Sequence, residues 1–204
     1  MGFRKLVFAI VIAASSMLMI SCGAETSFYT WKTPEATFDS VQHILVMGLI
    51  KDIEYRDTYE RVVCGALNGY GFKTTKALNV LSPGKKYTDE ELQEVIESKG
   101  IEGVLLMKYQ GTKIEKTTAK GNTYTKIYKK FVSSTSGKKY IDEHKTVYME
   151  LSLYKASTGE VIWMGSAKTM DTDLPEDLAK SLAEELIKGF IKDGIIKSGD
   201  RVIK

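Results

Sequence analysis

Cysteine, proline and histidine are scarce in this 204-residue chain, which contains two, three and two of them. Two cysteines allow at most one intrachain disulfide, so a small fold held together by several disulfides is excluded. Few prolines and a hydrophobic fraction of 43% exclude a collagen-like repeat and a disordered chain. The composition is that of an ordinary globular domain, and the length is sufficient for one sizeable core.

Patterns that carry catalytic chemistry are also missing. His43 and His144 are accompanied by neither H-E-x-x-H nor C-x-x-C, so we expect no metal site. No G-x-S-x-G, G-x-G-x-x-G or phosphate-binding loop is present. The acidic residues Asp171, Asp173 and Asp177 coincide with a predicted helix start, where carboxylates cap the helix. We therefore predict a protein that is not an enzyme and that needs no cofactor.

The longest hydrophobic run lies near the start of the chain. Arg4 and Lys5 precede an uncharged run, residues 6–21, which is typical of a secretory signal and short for a membrane-spanning helix. The run ends at Met19-Ile20-Ser21-Cys22, which resembles the lipobox of bacterial lipoproteins, although Met19 stands where Leu is usual. The resemblance implies that residues 1–21 are a lipoprotein signal peptide and that Cys22 is acylated. The alternative is a plain signal peptide with an incidental cysteine.

Removal of the signal peptide changes the charge balance. Without Arg4 and Lys5, 27 of the 29 basic residues remain against 26 acidic ones. A nearly neutral chain gives no reason to expect a nucleic-acid partner. Lipidation of Cys22 would leave Cys64 alone in a helical pattern, where we interpret it as a small buried hydrophobe.

The mature chain divides into three parts. We predict a lipidated tether over 22–40, a single α/β domain over 41–196 and a short tail over 197–204. Hydrophobic periodicity within the domain predicts strands over 43–50, 72–81, 101–112, 147–154 and 160–170, and helices over 54–68, 88–100 and 174–191.

The order βαβαβββα predicts a two-layer α/β sandwich with a mixed sheet of about five strands. Right-handed crossovers are expected to place both early helices on one face. The last helix, whose leucines recur every four residues from Leu174 to Leu186, is expected to join them.

Four segments carry a resemblance to a known group of proteins: HILVMGLI, ESKGIEGVLLMKY, LSLYKASTGEVIWMGSAKT and LAKSLAEELIKGFIKDGII. In them the chain resembles bacterial envelope lipoproteins that share the fold of the TolB amino-terminal domain, the penicillin-binding-protein activators and the curli-secretion lipoprotein. The resemblance implies a non-enzymatic domain that binds an envelope protein partner or assembles with itself as a homo-oligomer. Because Gly23 and not Asp follows Cys22, we expect an outer-membrane anchor facing the periplasm.

A basic segment interrupts the domain at 113–140, where the resemblance implies only a hairpin. Its lysines alternate with tyrosines and phenylalanine, and in an exported lipoprotein such a mixture fits lipid headgroups, cell-wall polymers or an acidic protein. We predict a partner or anion contact through Lys113, Lys116, Lys120, Lys126, Lys129, Lys130, Lys138 and Lys139. The alternatives are a solvated hairpin extension without a partner and a strand-forming part of an oligomeric pore. An envelope hydrolase is a distant third function.

Overall fold

The structure is a computed structural model that describes residues 25–36, 38, 40–117, 142–170 and 174–197. The predicted signal peptide, Cys22 and most of the basic segment therefore lie outside the described residues. The elements, in chain order, are β1 (Glu25–Lys32), β2 (His43–Leu49), α1 (Ile53–Asn68), β3 (Lys73–Lys76), a 3₁₀ turn (Ala77–Asn79), α2 (Asp89–Lys99), β4 (Gly103–Thr117), β5 (Asp142–Lys155), β6 (Val161–Met170) and α3 (Pro175–Lys192).

The six described strands form one mixed sheet in the order β1-β6-β5-β4-β2-β3. Strands β2, β3 and β4 are parallel, whereas β4, β5, β6 and β1 are successively antiparallel. This confirms the predicted α/β class and the order of elements from β2 onward. The expected number of about five strands becomes six because β1 was not predicted.

The helices cover the two faces of the sheet unequally. Ile44 and Val46 of β2 belong to the main core, which α1 and α3 cover, whereas Leu45 belongs to a smaller cluster beneath α2. Since alternate residues of a strand point to opposite faces, α2 lies on the other side of the sheet from α1 and α3. The expectation that both early helices share a face is therefore wrong. The chain moves outward from β2 to β3 and back across β2 to β4, and a right-handed crossover that reverses direction changes face.

The predicted tether contains an edge strand. Residues 22–40 were expected to lead from the lipid to the fold, but Glu25–Lys32 pairs along its whole length with β6. Thr26, Phe28 and Thr30 are half-buried, and Thr26 Oγ1 lies 2.6 Å from Ser181 Oγ in α3. The period-two pattern was overlooked because threonines supply two of the three inward positions. For residues 25–32 the tether prediction is wrong.

Strand β3 is shorter than predicted because a buried carboxylate ends it. Glu60 of α1 is fully buried and accepts hydrogen bonds from Gly48 N at 3.0 Å and from Leu78 N at 2.9 Å. Arg56 Nε, one helical turn earlier, donates to the same carboxylate at 2.8 Å. The bond to Leu78 N holds the chain after β3 in a 3₁₀ turn, so the strand ends at Lys76 and does not reach residue 81.

Candidate functional site

One end of the sheet collects several features that bear on function. Register pairing places Glu25 opposite Met170, Met170 opposite Thr146, and Thr146 opposite Lys113. These four residues form a row across the sheet. Beyond it β4 and β5 continue as a two-stranded arm, in which Thr117 pairs with Asp142. We call this the hairpin end of the sheet.

A β-bulge in β4 decides which of its side chains face α1 at the hairpin end. The register of β4 against β5 shifts between Tyr109 and Gly111, and Gly111 has a φ of 132° that favours glycine. The extra residue returns Thr112 to the side of the sheet that Tyr109 occupies. The Tyr109 hydroxyl then lies 2.6 Å from Thr112 Oγ1. The bulge thus fixes an exposed tyrosine beside the start of α1.

Three tyrosines line a groove between the arm and the start of α1. The groove, with a volume of about 600 Å³, is bordered by Tyr55 and Tyr59 of α1, by Tyr109, and by Lys145 on β5. Burial raises the pKa of the Tyr59 phenol, and the neighbouring phenols of Tyr55 and Tyr109 raise it further. The Tyr59 phenol is therefore neutral at neutral pH, where it can donate and accept hydrogen bonds but is a poor proton-transfer group. We call it the tyrosine groove.

Exposed apolar side chains gather around the tyrosine groove. Of the nine large hydrophobic side chains that are exposed among the described residues, six lie at this end: Leu49, Ile53, Tyr55, Tyr109, Ile114 and Leu174. Leu174 is 62% exposed and Ile114 is 56% exposed. An apolar surface that several separate elements contribute to is typical of an interaction site.

A second exposed aromatic surface lies on the sheet face that α2 only partly covers. Tyr29 and Trp31 of β1 are 80% and 53% exposed, and their register partners on β6 are Ser166 and Met164. Lys168 of β6 is also exposed on this face, opposite Tyr148 of β5. We call this surface the open face. Among the described residues it combines exposed aromatic and polar side chains.

The structure locates only part of the predicted contact residues. Lys113 is exposed in the row of the hairpin end, and the backbone of Lys116 lies in β4, paired with Glu143. The other six lysines and the anchor are outside the described residues: Lys120, Lys126, Lys129, Lys130, Lys138, Lys139 and Cys22. Strands β4 and β5 nevertheless fix where the lysine-rich segment leaves and rejoins the domain, which is the hairpin end.

The remaining candidate groups have structural roles. The ring nitrogens of the buried His43 lie 3.0 Å from the Gly100 carbonyl and 2.8 Å from Thr75 Oγ1. Cys64 is a free, half-buried thiol in α1, and burial raises its pKa, which keeps it protonated. Within the described ranges, no three His, Cys, Asp or Glu side chains are grouped so that they could share a metal ion. In the same part of the chain, no helix combines the length and the apolar character that crossing a membrane requires.

The tyrosine groove was missed at the level of sequence. Tyr55 and Tyr59 lie in the predicted helix over 54–68, where their spacing of four residues favours one inward face. Tyr109 lies in the predicted strand over 101–112. Only the Gln-Gly pair after Tyr109 signals a bulge, because glycine within a strand often marks one.

No protein-family model matches the chain, and a comparison with curated protein sequences finds no match either. Among solved structures, the folds most similar to this one include bacterial lipoproteins. A PelC dodecamer from Paraburkholderia phytofirmans shares 14% identity over 81% of this chain and 97% of its own, with a TM-score of 0.49. Lipoprotein GNA1162 from Neisseria meningitidis shares 12% identity over 74% and 98%, with a TM-score of 0.43. A minor lipoprotein from Acinetobacter baumannii shares 9% identity over 76% and 96%, with a TM-score of 0.36. Values of this size describe a distant likeness of fold.

Proposed function

We propose that the chain is a lipid-anchored, non-enzymatic binding protein of the bacterial cell envelope. Cys22 carries the acyl chains, the outer membrane is the anchoring membrane, and the domain faces the periplasm and binds another envelope protein. The sequence at 19–22 supports the anchor, and the exposed aromatic and apolar side chains of the described residues support a binding role.

The observation that carries the binding role is the aromatic pair on the open face. Tyr29 and Trp31 are held rigidly, because β1 pairs with β6 over eight residues and packs on α3 through Thr26 and Thr30. Large aromatic side chains on a rigid, exposed strand supply contact area at little entropic cost, and tyrosine and tryptophan are enriched where proteins bind one another.

Site-specific cross-linking in cells tests this role. A photo-reactive p-benzoylphenylalanine replaces the exposed Ser166, the register partner of Tyr29, so that both aromatic side chains remain in place. We expect one discrete envelope protein to be captured. The same group at the exposed Glu94 on α2 is the control position and should not capture it.

A pair of matched variants refines the result. Trp31→Ser should abolish the capture from position 166, whereas Ile191→Ser, which removes another exposed apolar side chain, should leave it unchanged. Equal capture by both variants, or no capture from position 166, would contradict the assignment of the open face.

Self-assembly is the second candidate function, and one observation favours it. Strand β1 pairs only with β6 among the described strands, so its outer edge presents backbone groups to a further strand. If β1 joins copies of the chain, the full-length protein should be an oligomer by light scattering in detergent. Thr33 N donates to Ile162 O at 3.2 Å, so the odd-numbered residues of β1 direct their N–H groups to β6 and the even-numbered ones direct theirs to the outer edge. Lys32→Pro, which removes an outward N–H group, is therefore the test of edge pairing and should abolish the oligomer. A monomeric native protein would exclude this function.

A further inference from the structure

We propose that the hairpin end of the sheet lies against the bilayer that holds the acyl chains of Cys22, with its exposed apolar side chains in the headgroup region. This orientation rests on the proposed function, because it requires Cys22 to be acylated. It adds to that function a second attachment surface and a fixed direction for the domain.

The chain between Cys22 and the fold is short. Strand β1 begins at Glu25, three residues after Cys22. Three residues of fully extended chain span at most about 11 Å. The start of β1 is therefore held within about 11 Å of the lipidated residue, whatever conformation the connecting residues adopt.

The residues level with the start of β1 belong to the hairpin end of the sheet. The register row carries Glu25 across the sheet to Met170, Thr146 and Lys113, so these residues share the level of the anchored end. Strands β4 and β5 extend beyond the row to Thr117 and Asp142. The opposite end of the sheet, at the turn after Lys155, is about 30 Å farther along β5 at the usual rise per residue. An acylated Cys22 therefore holds the hairpin end, and not the opposite end, next to the bilayer.

The hairpin end combines aliphatic, aromatic and lysine side chains. Leu174 and Ile114 project apolar side chains there, and the tyrosine groove adds phenols that have one apolar and one polar side. Lys51 and Lys145 border the same groove. Aromatic side chains together with aliphatic ones and lysines are the combination found at membrane interfaces, where the rings and lysine stems lie among the headgroups.

A lipid surface explains the exposed apolar residues of the hairpin end better than a folded protein, the kind of partner proposed for the open face. The six exposed apolar residues come from the last residue of β2, from α1, from β4 and from the residue before α3, and they are spread around the end of the sheet. A bilayer contacts such a dispersed set at once, and the acyl anchor holds it at high effective concentration. A second copy of this chain is the competing occupant, and the experiment below distinguishes it.

Spin-label accessibility on full-length acylated protein in vesicles tests the orientation. Vesicles of phosphatidylethanolamine and phosphatidylglycerol carry the protein, in a Cys64→Ala background so that one thiol is labelled. Labels are placed singly through Ile114→Cys and Leu174→Cys at the hairpin end. Ser157→Cys places the matched control label at the exposed turn of the opposite end.

We expect the labels at residues 114 and 174 to lose accessibility to a water-soluble nickel complex and to gain accessibility to oxygen, relative to the label at residue 157. Equal nickel accessibility at all three positions, with the protein still on the vesicles, would overturn the orientation but leave the anchor intact. Dipolar broadening between labels at residue 114 would instead assign the surface to a second copy and also overturn it. Failure of the protein to carry acyl chains would overturn the anchor and the orientation together.

Discussion

At the scale of the residue, Glu60 is the most demanding position in the fold. A fully buried carboxylate is costly unless its charge is compensated, and here one guanidinium and two backbone N–H groups compensate it. These bonds join α1 to the end of β2 and to the 3₁₀ turn. Gly48 leaves room for them, since a Cβ there would lie 3.1 Å from Arg56 Cγ. Glu60 therefore has a structural role in joining these elements.

Glu60→Gln tests this role. The amide removes the negative charge beside Arg56 and directs an N–H group toward donors, so we expect the free energy of unfolding to fall by about 3 kcal/mol. Urea unfolding measures the change. The same substitution at the exposed Glu94 is the control and should change stability by less than about 0.5 kcal/mol. Equal, small effects of both substitutions would contradict the role.

The exposed pair of Arg61 and Glu176 links α1 to α3 and gives a pH-dependent contribution to stability. The hydrogen bond from Arg61 lowers the pKa of the Glu176 carboxyl from its ordinary value of 4.5. A lowered pKa in the folded state stabilises the fold fully above 4.5, and the stabilisation is lost as the pH falls through the lowered value.

Glu176→Gln should therefore be slightly less stable than the native chain at neutral pH, and the difference should vanish in acid. Urea midpoints of both proteins across the acidic range provide the measurement. Because both side chains are exposed, the difference is small even at neutral pH. A gap between the two proteins that widens as the pH falls would have the wrong sign for this pair.

At the scale of the element, both proposed surfaces depend most on β1, which begins three residues after Cys22 and carries Tyr29 and Trp31. Its attachment relies on small residues where it crosses the core. A Cβ on Gly165 would lie 2.6 Å from Phe28 Cζ and 2.7 Å from Trp163 Cη2, and a Cβ on Gly189 would lie 2.9 Å from Thr30 Cγ2. Absence of side chains at these two positions lets Phe28 reach Trp163, whose ring is in edge contact with Phe190.

Gly165→Ala should loosen β1. Overpacking of this kind costs about 1 to 3 kcal/mol, and amide hydrogen exchange in residues 25–32 should accelerate more than exchange in β2. Gly65→Ala is the matched control: it lies on the exposed side of α1 with no atom within 4 Å of the new Cβ. That control should stabilise the protein by about 0.5 to 1 kcal/mol. Unchanged exchange in β1 of Gly165→Ala would show that Phe28 is not what holds the strand.

The elements divide into those that local sequence determines and those that tertiary contacts determine. The start of α2 is readable from its sequence because Thr88-Asp89-Glu90-Glu91 has the pattern of a capping box. In the structure Thr88 Oγ1 accepts from Glu91 N at 3.2 Å, and Thr88 N donates to Glu91 Oε2 at 3.0 Å. The leucine repeat of α3 was readable for the same reason. Strand β1 was not, because half-buried threonines resemble a linker. The side on which α2 packs depends on strand order, which periodicity does not contain. The tyrosine groove depends on the bulge before Gly111, which decides the side that Thr112 occupies.

At the scale of the whole molecule, the start of β1, the arm and six of the exposed apolar residues all belong to one end of the sheet. The lysine-rich segment joins this end as well, because β4 and β5 leave it at Thr117 and Asp142. The open face, by contrast, runs along the strands away from the hairpin end. We propose that this separation lets the hairpin end contact the membrane while the open face binds a protein.

Shortening the arm tests the contribution of the lysines independently of the fold. Thr117 and Asp142 are register partners, so an Asn-Gly turn can join them in place of residues 118–141. We expect the variant to fold with an unchanged urea midpoint, because the core lies elsewhere. Capture of the partner should weaken if the lysines contact it. A large loss of stability would show instead that this segment packs on the domain.

The mass of the mature protein, purified from bacterial membranes in detergent, is the most direct test of the central claim that the domain is held to the envelope through Cys22. The account predicts a chain that begins at Cys22 and carries a diacylglyceryl group on the thiol and an acyl group on the amine. Cys22→Ser should carry no lipid and should leave the membrane fraction. A mature chain that begins at another residue, or an unmodified Cys22, would contradict the account.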